Sequence, residues 1–273
     1  MKEYTLNNGV KIPAIGAGVF RVEDLKTAYE TVKLALSVGY RHIDTAMIYG
    51  NEEAVGKAIK DSGISRTEIF LTTKLWNDDQ RLGKVQDAVD ASLKRLGTDY
   101  VDLYLVHWPV KGTYISVWKK MEEIYKNGKA KAIGVSNYHS HHLDDLLQEA
   151  DIVPAVNQIE CYPYLAQEQL VSYCKEKNIY PEAWGPLGAG KSDVLSNPVI
   201  THIAQKYGKS PAQVVIRWDV ERGIIVIPKS VHKDRLIENI SVFDFQLTKD
   251  EVKQITSLNK NMRLGADPDN FNF

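Results

Sequence analysis

Eight short apolar segments, each the length of one β-strand, alternate with amphipathic segments along most of the chain. They are GAGVF, RHIDT, IFLTTK, VDLYLVH, AIGVSN, AVNQIE, IYPEAW and IIVIPK, from Gly16 to Lys229. Helical spacing of apolar residues predicts helices over 23–39, 50–63, 80–97, 114–128, 140–150, 166–178, 200–208, 210–223 and 233–243. Strict alternation predicts a parallel sheet covered by helices. Eight repeats without an obvious linker favour closure into an α/β (β/α)8 TIM barrel over an open doubly wound sheet, with residues 1–273 as one domain.

The residues before and between these segments also support the barrel. Asn-Gly in LNNGVKIPAIG predicts an N-terminal β-hairpin ahead of the first barrel strand. Polar or aromatic residues stand at the ends of later strands: Asp44, Lys74, His107, Asn137, Gln158, Trp184 and Lys229. An open sheet would concentrate such residues at one switch point, whereas a barrel gathers its site from the carboxyl ends of many strands. We therefore expect the functional site at that face.

Four residues form a set that can move a proton: Asp44, Tyr49, Lys74 and His107. The steps from Asp44 to Lys74 to His107 are 30 and 33 residues, so neighbouring βαβ units would bring them to one rim. A free tyrosine has a pKa near 10, and a nearby ammonium lowers it by about 1–3 pH units. The carboxylate would hold that ammonium in place, and histidine can orient a carbonyl oxygen or assist proton transfer. The set predicts an enzyme that protonates an alkoxide, with a hydride supplied from elsewhere.

Composition narrows the class of protein. With 44% apolar and 25% charged residues the chain is typical of a soluble globular protein. A formal charge of −1 without a basic stripe argues against nucleic-acid binding. No apolar run is long enough for a membrane span, and the N-terminus lacks the apolar core of a signal peptide. Cys161 and Cys174 form no CxxC motif, so we expect two core thiols in a cytoplasmic protein.

The sequence contains no Rossmann fingerprint, so the cofactor site is predicted elsewhere. GAGVFR supplies two glycines, but Arg21 replaces the third and the segment does not open a helix. Barrels commonly hold phosphate on the loops after strands 7 and 8, aided by a helix N-terminus. IPKSVHKDRLIEN fits that role, because Lys229, Ser230, His232, Lys233 and Arg235 cluster around a predicted helix start.

Two other motifs suggest different chemistry. GPLGAGKS, ending in Lys191 and Ser192, satisfies the Walker A pattern, but SDVLSNPVI follows where a P-loop needs a helix. His139, His141 and His142 suggest zinc, yet the sequence shows no cysteine or carboxylate partner at metal-ligand spacing. We expect no nucleotide hydrolysis at the first motif and no metal at the second, which is predicted to be a solvated helix start.

Signature segments resemble those of the aldo-keto reductase superfamily, in family order. They are IDTAMIYGNEEAVG, TTKLW, LVHWP, GVSNY, NQIE, EAWGPLG and IPKSV followed by DRLIEN, and the resemblance extends from Gly16 to Asn239. It implies a (β/α)8 barrel with an N-terminal hairpin and NADPH as hydride source. By motif position Tyr49 resembles the proton donor, Asp44 and Lys74 the pair that tunes it, and His107 the group that orients the carbonyl.

The resemblance also implies cofactor and substrate residues. Ser136, Asn137 and Gln158 resemble the partners of the nicotinamide carboxamide, and Trp184 resembles the aromatic residue that stacks on its ring. Cofactor contacts are further implied for Leu187, Lys229, Ser230, Val231, Arg235 and Asn239, the last five toward the adenosine 2′-phosphate and adenine. Phe20, Trp76 and Trp108 would line an aromatic substrate mouth. Gly185 stands where many members carry serine, which puts one phosphate contact in doubt.

The substrate expected from the resemblance is a small carbonyl compound. The short stretch HWPVKGTYIS after strand 4 indicates an open pocket, as in bacterial and fungal glyoxal or diketogluconate reductases. The tail MRLGADPDNFNF is expected to fold over the rim. We therefore expect a monomeric reductase that converts aldehydes, dicarbonyls such as methylglyoxal, or ketones to alcohols with NADPH. A non-catalytic NADPH-binding regulator on the same barrel, as among potassium-channel β subunits, and a P-loop hydrolase are the alternatives.

Overall fold

A sheet of eight parallel strands, each paired with the next in chain order, forms the centre of the protein. The computed structural model describes residues 2–273. After an antiparallel pair, β1 (Glu3–Thr5) and β2 (Lys11–Pro13), the sheet comprises β3 (Ala17–Gly18), β4 (His42–Asp44), β5 (Phe70–Leu75), β6 (Val101–Val106), β7 (Ala130–Ser136), β8 (Val156–Glu160), β9 (Tyr180–Trp184) and β10 (Ile225–Ile227). A parallel bridge between Ile15 and Val226 joins its two edges. The predicted barrel is confirmed.

Helices cover the outside of the barrel. They are α1 (Leu25–Ser37), α2 (Glu52–Asp61), α3 (Asn77–Arg81), α4 (Val85–Leu96), α5 (Tyr114–Lys126), α6 (Ser140–Glu149), α7 (Glu168–Glu176), α8 (Pro198–Tyr207), α9 (Pro211–Glu221), α10 (Lys233–Ile240) and α11 (Lys249–Thr256). None of these helices within residues 2–273 is long and apolar enough to cross a membrane. Their buried faces and the outward faces of the strands form one continuous apolar core, which includes both cysteines as free thiols.

One helix prediction was wrong and one helix was not predicted. The segment 80–97 is divided between α3 and α4, because Gly83 adopts a left-handed φ of 66° that an α-helix cannot contain. The second miss is α11, for which no helix was predicted. Its start carries a capping box, in which the Thr248 and Glu251 side chains bond each other's backbone amides.

The N-terminal hairpin is confirmed, and it closes one end of the barrel. Leu6 and Ile12 pack in a separate apolar cluster with the inward side chains Phe70, Leu103, Leu105, Ala132, Ala155, Val156 and Ile225. The turn is also tied to the barrel by hydrogen bonds from Asn7 Nδ2 to the Pro154 carbonyl, 3.0 Å, and from Asn8 Nδ2 to the Lys131 carbonyl, 2.9 Å. The opposite end, where the strands finish, carries the polar residues singled out above.

Candidate active site

The ends of β4, β5 and β6 bring the four predicted catalytic side chains together. Lys74 Nζ donates to Asp44 Oδ1 over 2.6 Å and to the Thr45 carbonyl over 2.9 Å. The same ammonium lies 5.2 Å from the centre of the Tyr49 ring. The Tyr49 and His107 rings meet edge to face with their centres 5.9 Å apart. Asp44 and Lys74 are buried, whereas Tyr49 is half-buried, so the tyrosine alone of these three can meet a ligand directly.

Burial and the neighbouring opposite charge shift the pKa values of Lys74 and Tyr49 in opposite directions. Burial lowers the pKa of the Lys74 ammonium, but the charges of Asp44 and Tyr49 and the Asp44 hydrogen bond outweigh it, so the net pKa is raised. Burial raises the pKa of the Tyr49 phenol, Lys74 opposes that rise and Asp44 adds to it. The expectation of a net lowering at Tyr49 is therefore wrong for the protein alone, because desolvation exceeds the effect of one ammonium. Tyr49 keeps its proton and can donate it.

The His107 imidazole is neutral. Burial, followed by the charge of Lys74, holds its pKa well below the usual value. Its ring meets both Tyr49 and Trp76 edge to face, with the Trp76 and His107 ring centres 5.2 Å apart. Nδ1 has no hydrogen-bond partner within residues 2–273. A neutral imidazole in this place can donate a hydrogen bond to a carbonyl oxygen without adding a second positive charge beside Lys74.

Glu182 extends the buried polar cluster and was not predicted. Gln158 Nε2 donates to Asp44 Oδ2 over 2.8 Å and to Glu182 Oε2 over 3.1 Å, so one amide bridges two carboxyl groups. His42 Nε2 lies 3.7 Å from Glu182 Oε1. Burial and the charge of Asp44 raise the pKa of Glu182 to about 8. Burial and then Lys74 lower the pKa of His42 to about 3, so both groups are neutral at pH 7. A glutamate inside the buried strand IYPEAW was the available signal.

The Glu182→Gln substitution should remove the part of the pH dependence of the unfolding free energy that comes from the Glu182 proton. Between the usual glutamate pKa of 4.5 and about 8, the unfolded chain releases this proton while the folded protein retains it. The free energy of unfolding therefore falls as pH rises through that window. We expect the variant to match the wild type near pH 4 and to exceed it by about 4 kcal/mol at pH 8, since each pH unit of this window contributes about 1.4 kcal/mol. Chemical denaturation at both pH values, with the exposed Glu23→Gln as control, measures this. An equal difference at the two pH values would contradict the assignment.

Aromatic side chains line the mouth beside Tyr49 and His107. The Phe20 ring lies 5.0 Å from Tyr49, and the Trp76 ring lies 5.2 Å from His107; with Trp108 these are the residues expected to contact the substrate. The C-terminal tail adds two rings that were not predicted. Phe273 stacks on Trp76 at 5.8 Å and meets Trp108 edge to face at 5.2 Å, and Phe271 lies 5.2 Å from Trp108.

Polar contacts hold this tail against the barrel. Asn77 Nδ2 and Arg81 Nη2 donate to the Phe273 main-chain oxygen over 3.1 and 2.6 Å. The amides of Leu264 and Gly265 donate to the two oxygens of the buried Glu160 carboxylate. The tail therefore crosses the rim as expected, and it covers part of the mouth with apolar rings.

The side chains expected near the nicotinamide form a connected network at the ends of β7, β8 and β9. Trp184 Nε1 donates to Asn137 Oδ1 over 2.8 Å, and Asn137 Nδ2 donates to the His107 carbonyl over 3.0 Å. Ser136 Oγ donates to the Gln158 carbonyl over 3.0 Å. Asn137 adopts a left-handed φ of 65°, which asparagine tolerates better than most residues. The network joins these groups directly to the mouth.

The residues expected near the adenosine phosphate lie on α10 and on the loop that precedes it. Lys229 and Arg235 are exposed, whereas Ser230 and Asn239 are buried. Within residues 2–273 neither Lys229 nor Arg235 forms an ion pair. Two uncompensated cations at a helix N-terminus suit a phosphate dianion. Leu187 and Val231 are half-buried in the adjoining loops. The donor set fits a dinucleotide that carries an additional phosphate.

The GPLGAGKS segment does not have the structure of a P-loop. It forms a 3-10 turn at Gly188–Gly190 and is followed by a second one at Val194–Ser196, and α8 begins only at Pro198. No helix N-terminus therefore follows Lys191 to complete a phosphate cradle. The hydrolase alternative lacks its structural basis.

The histidine cluster departs from its prediction. Asp269 of the tail contacts His139 Nδ1 and His141 Nε2 at 3.0 Å and His142 Nε2 at 3.4 Å. The sequence shows no carboxylate at metal-ligand spacing from these histidines, but the structure brings one to them from a distant part of the chain.

Comparison with known proteins decides the family. A family model described as the Aldo/keto reductase family matches residues 14–260. The chain belongs to the aldo/keto reductase family. It is an NADP-dependent oxidoreductase, and the family's cofactor, NADP(H), agrees with the donor set around α10.

Individual relatives of this reductase are similar over their whole length. A glyoxal reductase of Bacillus subtilis (strain 168) is 50% identical, with 98% of this chain and 96% of the relative aligned. The methylglyoxal reductase DkgA of Escherichia coli (strain K12) is 47% identical, covering 97% and 96% of the two chains. The crystal structure of a Bombyx mori aldo-keto reductase in complex with NADP has a TM-score of 0.92 at 37% identity, covering 98% and 96%. The family and these relatives support carbonyl reduction rather than a regulatory barrel or a hydrolase.

Proposed function

We propose that this aldo-keto reductase reduces small aldehydes and α-dicarbonyls of the glyoxal and methylglyoxal type, acting as one monomeric domain. The observation that carries the proposal is the juxtaposition of Tyr49, His107 and the Lys74–Asp44 pair under an aromatic mouth. Residues 107–113 are the whole connection between β6 and α5, so no long insertion closes that side of the mouth. The names of the relatives point to the same substrate class.

The proposed roles of the residues follow from their geometry. Tyr49 donates its phenolic proton to the carbonyl oxygen as that oxygen becomes an alkoxide. His107, neutral and beside the Tyr49 ring, orients the same oxygen by donating a hydrogen bond. Lys74 stabilises the phenolate that remains, and Asp44 holds the ammonium charged. NADPH, when bound, supplies the hydride that the carbonyl carbon receives. Exclusion of water from the reacting carbon is assigned to Trp76, Trp108 and the tail rings.

Cofactor binding is assigned to the two polar groups already described. Ser136, Asn137, Gln158 and Trp184 would hold the nicotinamide end, and Leu187, Lys229, Ser230, Val231, Arg235 and Asn239 would hold the adenosine end. In the protein alone the Gln158 amide nitrogen is taken by Asp44 and Glu182, which leaves its oxygen as the group for a carboxamide N–H.

A substrate screen tests the proposal. Purified enzyme with NADPH should oxidise the cofactor with glyoxal, methylglyoxal and short aldehydes at a higher kcat/KM than with bulky aryl ketones, because the tail rings limit the mouth. The same panel with NADH tests the preference for the extra phosphate. A protein that binds NADPH but turns over none of the panel would contradict the proposal.

Selectivity for NADPH should depend on Lys229 and Arg235. In the Lys229→Ala/Arg235→Ala variant we expect the Kd for NADPH to rise by about tenfold or more, since each charge-assisted hydrogen bond contributes about 1.5–3 kcal/mol. The Kd for NADH should change little, because NADH lacks the phosphate. Fluorescence titration of both cofactors measures this, with the exposed Lys60→Ala on α2 as the matched control. Equal weakening of both cofactors would contradict the assignment.

A further inference from the structure

Three histidines and one aspartate form a compact cluster outside the catalytic rim, which we call the tail cluster: His139, His141, His142 and Asp269. The histidines stand at the beginning of α6, and Asp269 belongs to the C-terminal tail, 130 residues after His139. One atom from each side chain can be chosen so that all four atoms lie within 4.8 Å of one another. Among residues 2–273 no other group of three or more histidine, cysteine or acidic residues meets this condition.

The spacing of these atoms suits a small transition-metal ion. An ion with ligand bonds of about 2.0–2.2 Å in tetrahedral geometry keeps neighbouring ligand atoms roughly 3.3–3.5 Å apart. The carboxylate of Asp269 already lies 3.0 to 3.4 Å from the three histidine nitrogens. The His141 side chain is 58% exposed and that of Asp269 41%, so an ion can enter from solvent. Nitrogen and carboxylate ligands in this combination favour zinc and its first-row neighbours.

The hydrogen-bond partner of each ring's second nitrogen decides which histidines can act as ligands of an ion. His142 Nδ1 accepts from the His139 backbone amide over 3.1 Å, so its proton stands on Nε2, which points to Asp269 as a donor. His139 Nε2 contacts Arg263 Nη2 at 3.2 Å. An ion on His139 Nδ1 would place a proton on Nε2 and displace that guanidinium, for which Glu160 Oε2, 3.9 Å from Arg263 Nη1, is the alternative partner. Within the described chain the His141 ring makes no hydrogen bond or ion pair other than its contact with Asp269.

We propose that His139 Nδ1, His141 Nε2 and the Asp269 carboxylate form a binding site for Zn²⁺ or a similar first-row divalent ion. His142 keeps its proton and orients the carboxylate from outside the ligand set, as such partners commonly do in metal sites. Water completes the coordination on the exposed side. The site lies outside the proposed catalytic machinery and its existence does not depend on the proposed substrate.

Occupation of this site restrains the tail. Phe271 and Phe273 follow Asp269 by two and four residues and pack on Trp108 and Trp76 at the mouth. An ion that ties Asp269 to the beginning of α6 therefore fixes the segment that carries both rings. The ion acts on the cover of the site and takes no part in the chemistry.

Zinc titration of the full-length protein tests the site. By calorimetry we expect one Zn²⁺ per wild-type chain, with the Kd raised about tenfold or more in His141→Ala and in Asp269→Asn. The exposed His202→Ala on α8 is the matched control and should bind as the wild type does. Co²⁺ in place of Zn²⁺ should give visible d–d absorption that both cluster variants lose. Thermal denaturation confirms that each variant is folded. Absence of wild-type binding at submillimolar Zn²⁺, or equal Kd in all four proteins, overturns the proposal.

Hydrogen exchange tests the effect on the tail. Zn²⁺ should slow amide exchange in residues 266–273 of the wild type and of His202→Ala, but not in Asp269→Asn. If Zn²⁺ binds with the expected variant dependence and exchange in the tail is unchanged, the restraint of the tail is wrong.

Discussion

The Tyr49→Phe variant should lose kcat by about 10²–10⁴-fold, the usual contribution of a positioned general acid. The phenylalanine ring can keep the contacts with Phe20 and His107, so the free energy of unfolding and the Kd for NADPH should stay close to the wild-type values. Only the proton is removed. Steady-state kinetics with methylglyoxal, together with chemical denaturation and cofactor titration, separates these effects.

The matched control for this variant is Tyr29→Phe. This variant also removes a hydroxyl group, but in the wild type that hydroxyl donates to Asp61 on the outside of the barrel, far from the proposed chemistry. The Tyr29→Phe variant should therefore retain full turnover. Full turnover in Tyr49→Phe as well would mean that another group supplies the proton and that the mechanism is wrong.

The Lys74→Met variant should lose both stability and turnover. Removal of the ammonium leaves the Asp44 carboxylate buried without its ion-pair partner, and breaking a buried pair on one side costs about 3–5 kcal/mol. Tyr49 also loses the one neighbouring charge that lowers its pKa, so the phenolate becomes harder to form. We expect a lower denaturation midpoint and a fall in kcat of at least about 10².

A double variant separates the two losses. In Lys74→Met/Asp44→Asn no charge remains uncompensated at this pair, so much of the stability should return. The catalytic defect should remain, because the phenol still has no ammonium beside it. Recovery of turnover together with stability would show that Lys74 acts only as a structural residue.

The barrel and the catalytic rim were predictable because they depend on periodicity. Strand ends recur at regular intervals, so Asp44, Lys74 and His107 meet at one rim whatever the details of the intervening helices. Trp76 and Trp108 stand one and two residues beyond their strands, but their place at a substrate mouth was implied by the family resemblance.

What could not be predicted depends on burial and on distant parts of the chain. The net pKa direction at Tyr49 was misjudged because the extent of its desolvation is a property of the packed site. Glu182 gave a signal, but its bridge to Asp44 through Gln158 requires the closed barrel. The contact between Asp269 and His139 depends on the course of an irregular tail, whose sequence has no periodic pattern from which to predict it.

The hairpin formed by β1 and β2 covers the face of the barrel opposite the candidate active site. Leu6 and Ile12 pack on the inward side chains at that end, so within residues 2–273 the rim at the strand ends is the open side of the barrel. We therefore expect the hydride donor and the carbonyl compound to enter from the same rim, where Tyr49 lies half-buried. Whichever reactant lies deeper at that rim must bind first and leave last, so we expect an ordered kinetic mechanism.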